Sequence, residues 1–135
     1  MSYVYDASFI VTLIVPDEKN NKSDKIHRAT NEIFIPQLFW YEIANIFMNL
    51  IRRKRFTFDE VKEYFSIISS LNTNTDFETG VDYSKKIWSL CSEYNLSAYD
   101  AAYLELAYRK KAVLCTLDDG LINAAKKHGV AVIKH

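Results

Sequence analysis

The chain has 135 residues, of which 49% are hydrophobic and 25% are charged. These proportions predict one globular domain over residues 1–135 with a buried core, and they exclude an intrinsically disordered chain. Acidic and basic residues number 17 each, so the net charge of +0 provides no general attraction for nucleic acid. With two distant cysteines, no membrane-length apolar run and no leader pattern, we expect a cytoplasmic protein with free thiols.

Strands and helices alternate along the predicted chain. The short, all-apolar runs that predict strands are, in order, Tyr3–Tyr5, Ile33–Ile35, Val113–Thr116 and Ala131–Ile133. The segments that predict helices are Ala7–Val15, Asp17–Arg28, Gln37–Arg55, Phe58–Leu71, Thr79–Tyr94, Ser97–Arg109 and Leu121–His128. Pro16 ends the first helix, Pro36 suits the first turn of the third, and Gly129 is well placed to end the last. This order favours an α/β fold whose central parallel sheet is covered on both faces.

The predicted helix Gln37–Arg55 has an unusually wide apolar surface. At 100° per residue, its apolar side chains cover more than half of the circumference. Its polar side chains fall on one narrow stripe, formed by Glu42, Asn45, Asn49, Arg52 and Arg53. We therefore expect the stripe to face a cleft, and the apolar stretch Leu38–Ile51 to be covered partly by the core and partly by a partner chain.

Four acidic residues, called here the four acids, lie among apolar neighbours: Asp6, Glu42, Asp100 and Asp118. A carboxylate in such surroundings is costly unless it is paired, hydrogen-bonded or bound to a metal. Asp6 and Asp118 each follow a predicted strand, and ligands of open parallel sheets collect at the carboxyl ends of the strands. Because clustered carboxylates repel one another and hard cations prefer oxygen ligands, the pattern predicts a shared Mg²⁺ or Mn²⁺ site.

Three of the four acids also have a local explanation. Asp6 precedes a helix and suits its N-cap, and Ser97 with Asp100 matches a capping box. Either Asp118 or Asp119 suits the N-cap of the last helix. Glu42 has no such explanation, because it lies more than one turn inside its predicted helix and Arg52 is too distant for a same-face ion pair.

Several short segments resemble the motifs of PIN-domain nucleases, and in particular the VapC-type toxins of toxin–antitoxin pairs. The segments are Tyr5–Ser8, Glu42 with Asn45, Tyr99–Ala102, Thr116–Leu121 and the ending Ala124–Val130. The resemblance implies a three-layer α/β/α fold around a parallel sheet. It also implies a Mg²⁺- or Mn²⁺-dependent endoribonuclease that is usually a homodimer and is inhibited by a small antitoxin protein.

The same resemblance implies roles for particular residues. Asp6, Glu42, Asp100 and Asp118 match the acidic catalytic and metal-binding positions, and the frequent supporting positions are matched by Ser8, Asn45 and Thr116. Asp119 is either a helix cap or a more distant contact of the metal. Two alternatives to a toxin remain open at this point, namely a PIN-domain nuclease of routine RNA processing and a non-catalytic module that binds RNA or protein.

An acidic site repels RNA, so other surfaces have to attract it. Basic residues cluster at Arg52–Arg55, Arg109–Lys111 and Lys126–His128, where they either bind phosphates or are merely solvated helix ends. Tyr99 and Tyr103 lie beside Asp100 and either stack on unpaired bases or pack in the core, and the pattern favours packing for both.

Overall fold

A computed structural model describes residues 1–16, 27 and 32–133 of the chain. Within this part, the strands are β1 (Ser2–Tyr5), β2 (Glu32–Pro36), β3 (Asn74–Asp76), β4 (Val113–Cys115) and β5 (Val132–Ile133). The helices are α1 (Ala7–Ile14), α2 (Phe39–Arg52), α3 (Phe58–Ser70), α4 (Val81–Tyr94), α5 (Ala98–Lys110) and α6 (Asp119–Lys127). The predicted helix Asp17–Arg28 lies outside the described residues, apart from His27.

The five strands form one parallel sheet in the order β3-β2-β1-β4-β5. Helices cover both faces, which confirms the predicted three-layer α/β/α fold. Tyr5 at the end of β1 pairs with Cys115 at the end of β4. The next residues along the two strands, Asp6 and Thr116, are therefore neighbours at the carboxyl edge of the sheet.

Helix α5 has the longest unbroken buried stretch of any helix of the described chain. It packs against β1, β2 and β4, while α4 packs on its side. Every residue from Ala101 to Ala107 is buried. Because Asp100 stands one residue before this buried stretch, the packing of α5 fixes the carboxylate of Asp100 near the edge of the sheet.

The sequence analysis did not predict β3, and it wrongly assigned Pro36 to the first turn of a helix. Pro36 is the last residue of β2, opposite Asp76, and α2 begins only at Phe39. Strand β3 is polar and has three residues, which is typical of an edge strand. One of its own side chains helps to secure it, since the Asn74 amide donates to the carbonyl of Ile33 in β2 at 3.1 Å.

Helix α2 buries only one stripe in the single chain. Phe39, Ile43, Phe47 and Leu50 are buried, whereas large apolar side chains such as Trp40 and Met48 are exposed. The expectation that a partner covers the rest of this helix stays a prediction.

No helix in the described ranges is long and apolar enough to cross a bilayer.

Candidate active site

Asp6 is held by three hydrogen bonds at the junction of β1 and α1. Its Oδ1 atom accepts from the Phe9 backbone N–H at 2.9 Å and from the Ser8 hydroxyl at 2.7 Å, while the Thr116 hydroxyl donates to Oδ2. The side chain is 6% exposed. Asp6 is therefore the N-cap of α1, as predicted, and it is also a buried carboxylate at the sheet edge.

Asp118 lies at the corresponding junction of β4 and α6. Its Oδ1 atom accepts from the Leu121 backbone N–H at 2.8 Å, so Asp118 is the cap of α6, and Asp119 is exposed in the first turn. The Asp118 backbone N–H donates to the Thr116 hydroxyl at 3.0 Å. Since that hydroxyl donates in turn to Asp6, one side chain ties the two junctions together.

Glu42 and Asp100 reach the same region from two helices. The Asp100 backbone N–H donates to the Ser97 hydroxyl at 3.1 Å, which confirms Ser97 as the cap of α5. Glu42 lies in the first turn of α2, and its Oε1 atom accepts from the Tyr103 hydroxyl at 2.6 Å. Tyr103 stands one helical turn after Asp100, so α5 carries one carboxylate and orients a second.

The electrostatics show that the four acids share one region. Burial raises the pKa of Asp6, Glu42 and Asp100 above the ordinary carboxyl range. Nearby negative charge raises them further: Asp100 acts on Asp6, both act on Glu42, and Asp118 acts on Asp100. The opposing effect comes from hydrogen bonds donated by Thr116, Ser8 and Phe9 to Asp6 and by Tyr103 to Glu42. No Lys or Arg of the described chain is among the groups that shift these three pKa values.

These carboxylates do not form a closed metal shell. Among residues 1–16, 27 and 32–133, no group of three or more His, Cys, Asp or Glu side chains is arranged to hold a metal ion. Mg²⁺, however, usually binds through one or two carboxylates, several waters and the phosphates of its substrate. Within the described chain, Glu42 Oε2 and Asp118 Oδ2 accept no hydrogen bond. The donor set therefore fits a hard divalent cation of this kind.

A cleft of about 580 Å³ opens beside these residues. Glu42, Asn45 and Asn49 line it together with Tyr41 and Tyr99. This agrees with the prediction that the polar stripe of α2 faces a cleft, although Arg52 and Arg53 at the helix end are not part of its wall. Asn45 thus shares the cleft with Glu42, as Ser8 and Thr116 share contacts with Asp6.

Sequence reasoning missed the roles of two tyrosines. Packing in the core was favoured for Tyr99, but its side chain is 61% exposed and lines the cleft. Tyr103 is 1% exposed, so its packing was predicted correctly, but its hydrogen bond to Glu42 was not. The three-residue spacing between Asp100 and the buried Tyr103 on one helix was the available signal.

Comparison with known proteins identifies the family of this chain. The sequence model of the PIN domain family matches residues 3–127. The chain belongs to the PIN domain family. It is 30% identical over 122 residues to Ribonuclease VapC3 of Pyrobaculum aerophilum, a match that covers 87% of this chain and 90% of the relative. The resemblance noted from the sequence motifs is therefore confirmed.

Solved structures share the fold of this PIN-domain chain. The crystal structure of PAE2754 from Pyrobaculum aerophilum superposes with a TM-score of 0.74 at 23% identity, covering 98% of this chain and 92% of that chain. A toxin–antitoxin complex from Klebsiella pneumoniae contains a similar chain, with a TM-score of 0.59, 17% identity and 86% of each chain covered.

Proposed function

We propose that this PIN-domain chain is a Mg²⁺- or Mn²⁺-dependent endoribonuclease and the toxin of a toxin–antitoxin pair. The observation that carries the proposal is the convergence of the four acids. They come from four separate places in the chain, negative charge among them raises the pKa values of Asp6, Glu42 and Asp100, and no Lys or Arg of the described chain is among the groups that shift these three values. Folding holds this unfavourable arrangement together, which is typical of a functional site.

The acids have distinct parts in hydrolysing a phosphodiester bond. Asp6 and Asp118 would hold the cation, and Glu42 and Asp100 would hold a second ion or position the attacking water. When bound, the cation supplies a water of lowered pKa and neutralises charge on the scissile phosphate. The raised pKa of Glu42 makes this carboxylate a stronger base, which suits a group that accepts a proton from water.

The protein's own hydrogen bonds keep these groups in place. Ser8, Phe9 and Thr116 fix both oxygens of Asp6, so this carboxylate presents one orientation to a ligand. Tyr103 fixes one oxygen of Glu42, and the other oxygen accepts no hydrogen bond within the described chain. Preorganisation of this kind avoids rearrangement during the reaction.

RNA would be attracted by surfaces outside the acidic cleft. Arg52 and Arg53 are exposed at the end of α2, beyond the stretch of that helix that lines the cleft. An RNA strand that runs from the carboxylates along α2 would meet these guanidinium groups about 16 Å away, because eleven residues separate Glu42 from Arg53 and each adds about 1.5 Å of helical rise. Such contacts make binding weaken as the salt concentration rises.

The partner proposals rest on the family and on α2. A homodimer and a small antitoxin would cover the exposed apolar residues of this helix, among them Trp40 and Met48. The toxin–antitoxin complex from Klebsiella pneumoniae supports an antitoxin for a chain of this fold. We further propose that residues 1–135 form one domain acting in the cytoplasm.

A cleavage assay tests the proposed activity. Single-stranded and structured RNA are incubated with the protein and either Mg²⁺, Mn²⁺ or EDTA. We expect cleavage only with metal, and we expect Asp6→Asn and Asp100→Asn to abolish it while the circular dichroism spectrum stays unchanged. Binding without cleavage by the unaltered protein would instead assign a non-catalytic RNA-binding module.

A second experiment separates a toxin from a nuclease of routine RNA processing. Expression of the unaltered chain should arrest growth, and expression of Asp6→Asn should not. A small gene directly upstream should relieve the arrest when it is co-expressed. Active protein that leaves growth unaffected would favour the processing nuclease.

A further inference from the structure

A second cleft of about 580 Å³ adjoins the acidic one. It lies between the start of α2, the segment after β3, and the N-terminal ends of α4 and α5. Leu38, Tyr41 and Tyr99 line both clefts. A ligand with its phosphate at the carboxylates could therefore extend into the second cleft without crossing a wall of the protein.

The chemistry of the second cleft does not suit a phosphate. Among the described residues, no Lys or Arg lines it. Its acidic lining residues are Asp76, which is held by the forked guanidinium of Arg109 at 2.7 and 2.9 Å, and Glu78, which is exposed. Thr79 and Ser84 add hydroxyl groups. An uncharged ligand with hydrogen-bond donors fits this wall better than an anion does.

Two tyrosines on the boundary offer flat apolar surfaces. Tyr41 is 73% exposed and Tyr99 is 61% exposed. Within the described chain, neither ring stacks on another aromatic ring or on a cation. Exposed tyrosine rings of this kind bind unpaired bases of single-stranded nucleic acid by stacking, with little dependence on sequence.

We propose that the second cleft binds an unpaired nucleobase of the nucleotide next to the scissile phosphate. Tyr41 and Tyr99 stack on the base, and the Glu78 carboxylate accepts a hydrogen bond from an exocyclic amino group, as carboxylates do from cytosine. This proposal rests on the proposed ribonuclease function and adds a base-binding subsite to it. A peptide of a protein partner is the competing occupant.

Binding measurements on a cleavage-deficient protein test the subsite. The Asp6→Asn variant is titrated in EDTA with fluorescently labelled octamers of cytidine and of uridine, and with a cytidine octamer in which one nucleotide is abasic. Tyr41→Ala or Tyr99→Ala, added to this background, should weaken binding of the cytidine octamer about tenfold, whereas Tyr99→Phe should preserve it. Tyr108→Ala is the matched control, because this tyrosine is 58% exposed and lies outside both clefts.

Two further binding measurements identify the base, and the second of them changes the RNA instead of the tyrosines, so misfolding of a tyrosine variant cannot explain its result. Glu78→Gln should weaken the cytidine octamer more than the uridine octamer. An abasic nucleotide moved stepwise along the RNA should weaken binding to the Asp6→Asn protein without tyrosine changes at one position. Equal binding by the Tyr41, Tyr99 and Tyr108 variants, together with no effect of abasic positions, overturns the subsite.

The outcomes also separate this proposal from the function on which it rests. If the unaltered protein cleaves RNA with Mg²⁺ or Mn²⁺ while Tyr99→Ala binds the octamers normally, the nuclease stands and the base subsite is wrong. If Tyr99→Ala instead loses a co-purifying small protein and keeps its RNA affinity, the cleft belongs to a protein partner. Absence of both cleavage and RNA binding in the unaltered protein overturns the two proposals together.

Discussion

Replacing Tyr103 by Phe tests the link between the buried helix α5 and the acidic cleft. The substitution keeps the aromatic ring and removes only the hydroxyl that donates to Glu42 Oε1 at 2.6 Å. A hydrogen bond to a charged group contributes about 1.5–3 kcal/mol. Because Glu42 is only partly buried and water can replace the lost donor, we expect the lower end of that range, about 1.5 kcal/mol.

That loss converts into a measurable change of melting temperature. An unfolding entropy of about 2.1 cal/mol/K per residue gives roughly 0.28 kcal/mol/K for a chain of this length. The Tyr103→Phe variant should therefore melt about 5 °C lower in a thermal scan followed by circular dichroism. Tyr3→Phe is the control, because Tyr3 is also buried but its hydroxyl donates only to the sulfur of Met1 at 3.2 Å.

The same variant should also change catalysis. Tyr103 lowers the pKa of Glu42, so its removal should move the acidic limb of the pH–rate profile to higher pH. Loss of a fixed orientation at Glu42 should reduce kcat/KM about tenfold, equivalent to about 1.4 kcal/mol of transition-state stabilisation. A lower melting temperature with an unchanged rate and pH profile would refute the argument that Tyr103 positions a working carboxylate.

The other predictions concern the same network. Millimolar Mg²⁺ or Mn²⁺ should raise the melting temperature by relieving repulsion among the acids, and the rise should be smaller in Asp100→Asn; equal shifts would contradict a shared site. The pKa values of Asp6, Glu42 and Asp100 are raised in the folded state, so the stability that these groups contribute is present at acidic pH and is lost as the pH rises through their folded-state pKa values. In EDTA, the protein should therefore melt at a higher temperature at pH 5 than at pH 7.5, and the opposite order would refute this. Asp118→Asn should lose cleavage but keep its melting temperature because Asn also caps helices, whereas Asp118→Ala should lose both activity and about 1 kcal/mol in a urea titration. Arg109→Lys cannot reproduce the fork that joins β3 to α5, so it should lower the melting temperature without abolishing cleavage, and an unchanged scan would refute a stabilising role.

The sequence was sufficient to predict four of the five strands because each contains a short apolar run, such as Tyr3–Tyr5 in β1 and Ile33–Ile35 in β2. It was insufficient for β3, whose residues Asn74–Asp76 carry no apolar alternation. That strand is specified by distant partners instead: Asp76 pairs with Arg109, and the Trp40 indole donates to the Thr75 hydroxyl at 3.0 Å. Contacts between residues 33 to 35 positions apart leave no periodic pattern in the chain.

The candidate site shows the same division between local and long-range information. The four acids could be selected from their apolar neighbours, but the partner of Glu42 could not, because Tyr103 is 61 positions away. Tyr99 and Tyr103 share one face of α5, and yet one is exposed and the other buried. The burial changes within this helix, since Ala98 and Tyr99 are exposed whereas Ala101–Ala107 are buried, and only tertiary packing determines where that boundary falls.

Helix capping and cation binding were alternatives in the sequence, but the fold makes them parts of one arrangement. In a parallel sheet, each strand ends where the next helix begins, so carboxyl ends of strands and N-termini of helices collect at one edge. Asp6 and Asp118 use Oδ1 to cap their helices. The Thr116 hydroxyl donates to the second oxygen of Asp6. The second oxygen of Asp118 accepts no hydrogen bond within the described chain, so it is available to a ligand. Each helix N-terminus also offsets part of the negative charge. The caps therefore lower the cost of gathering these carboxylates before any cation binds.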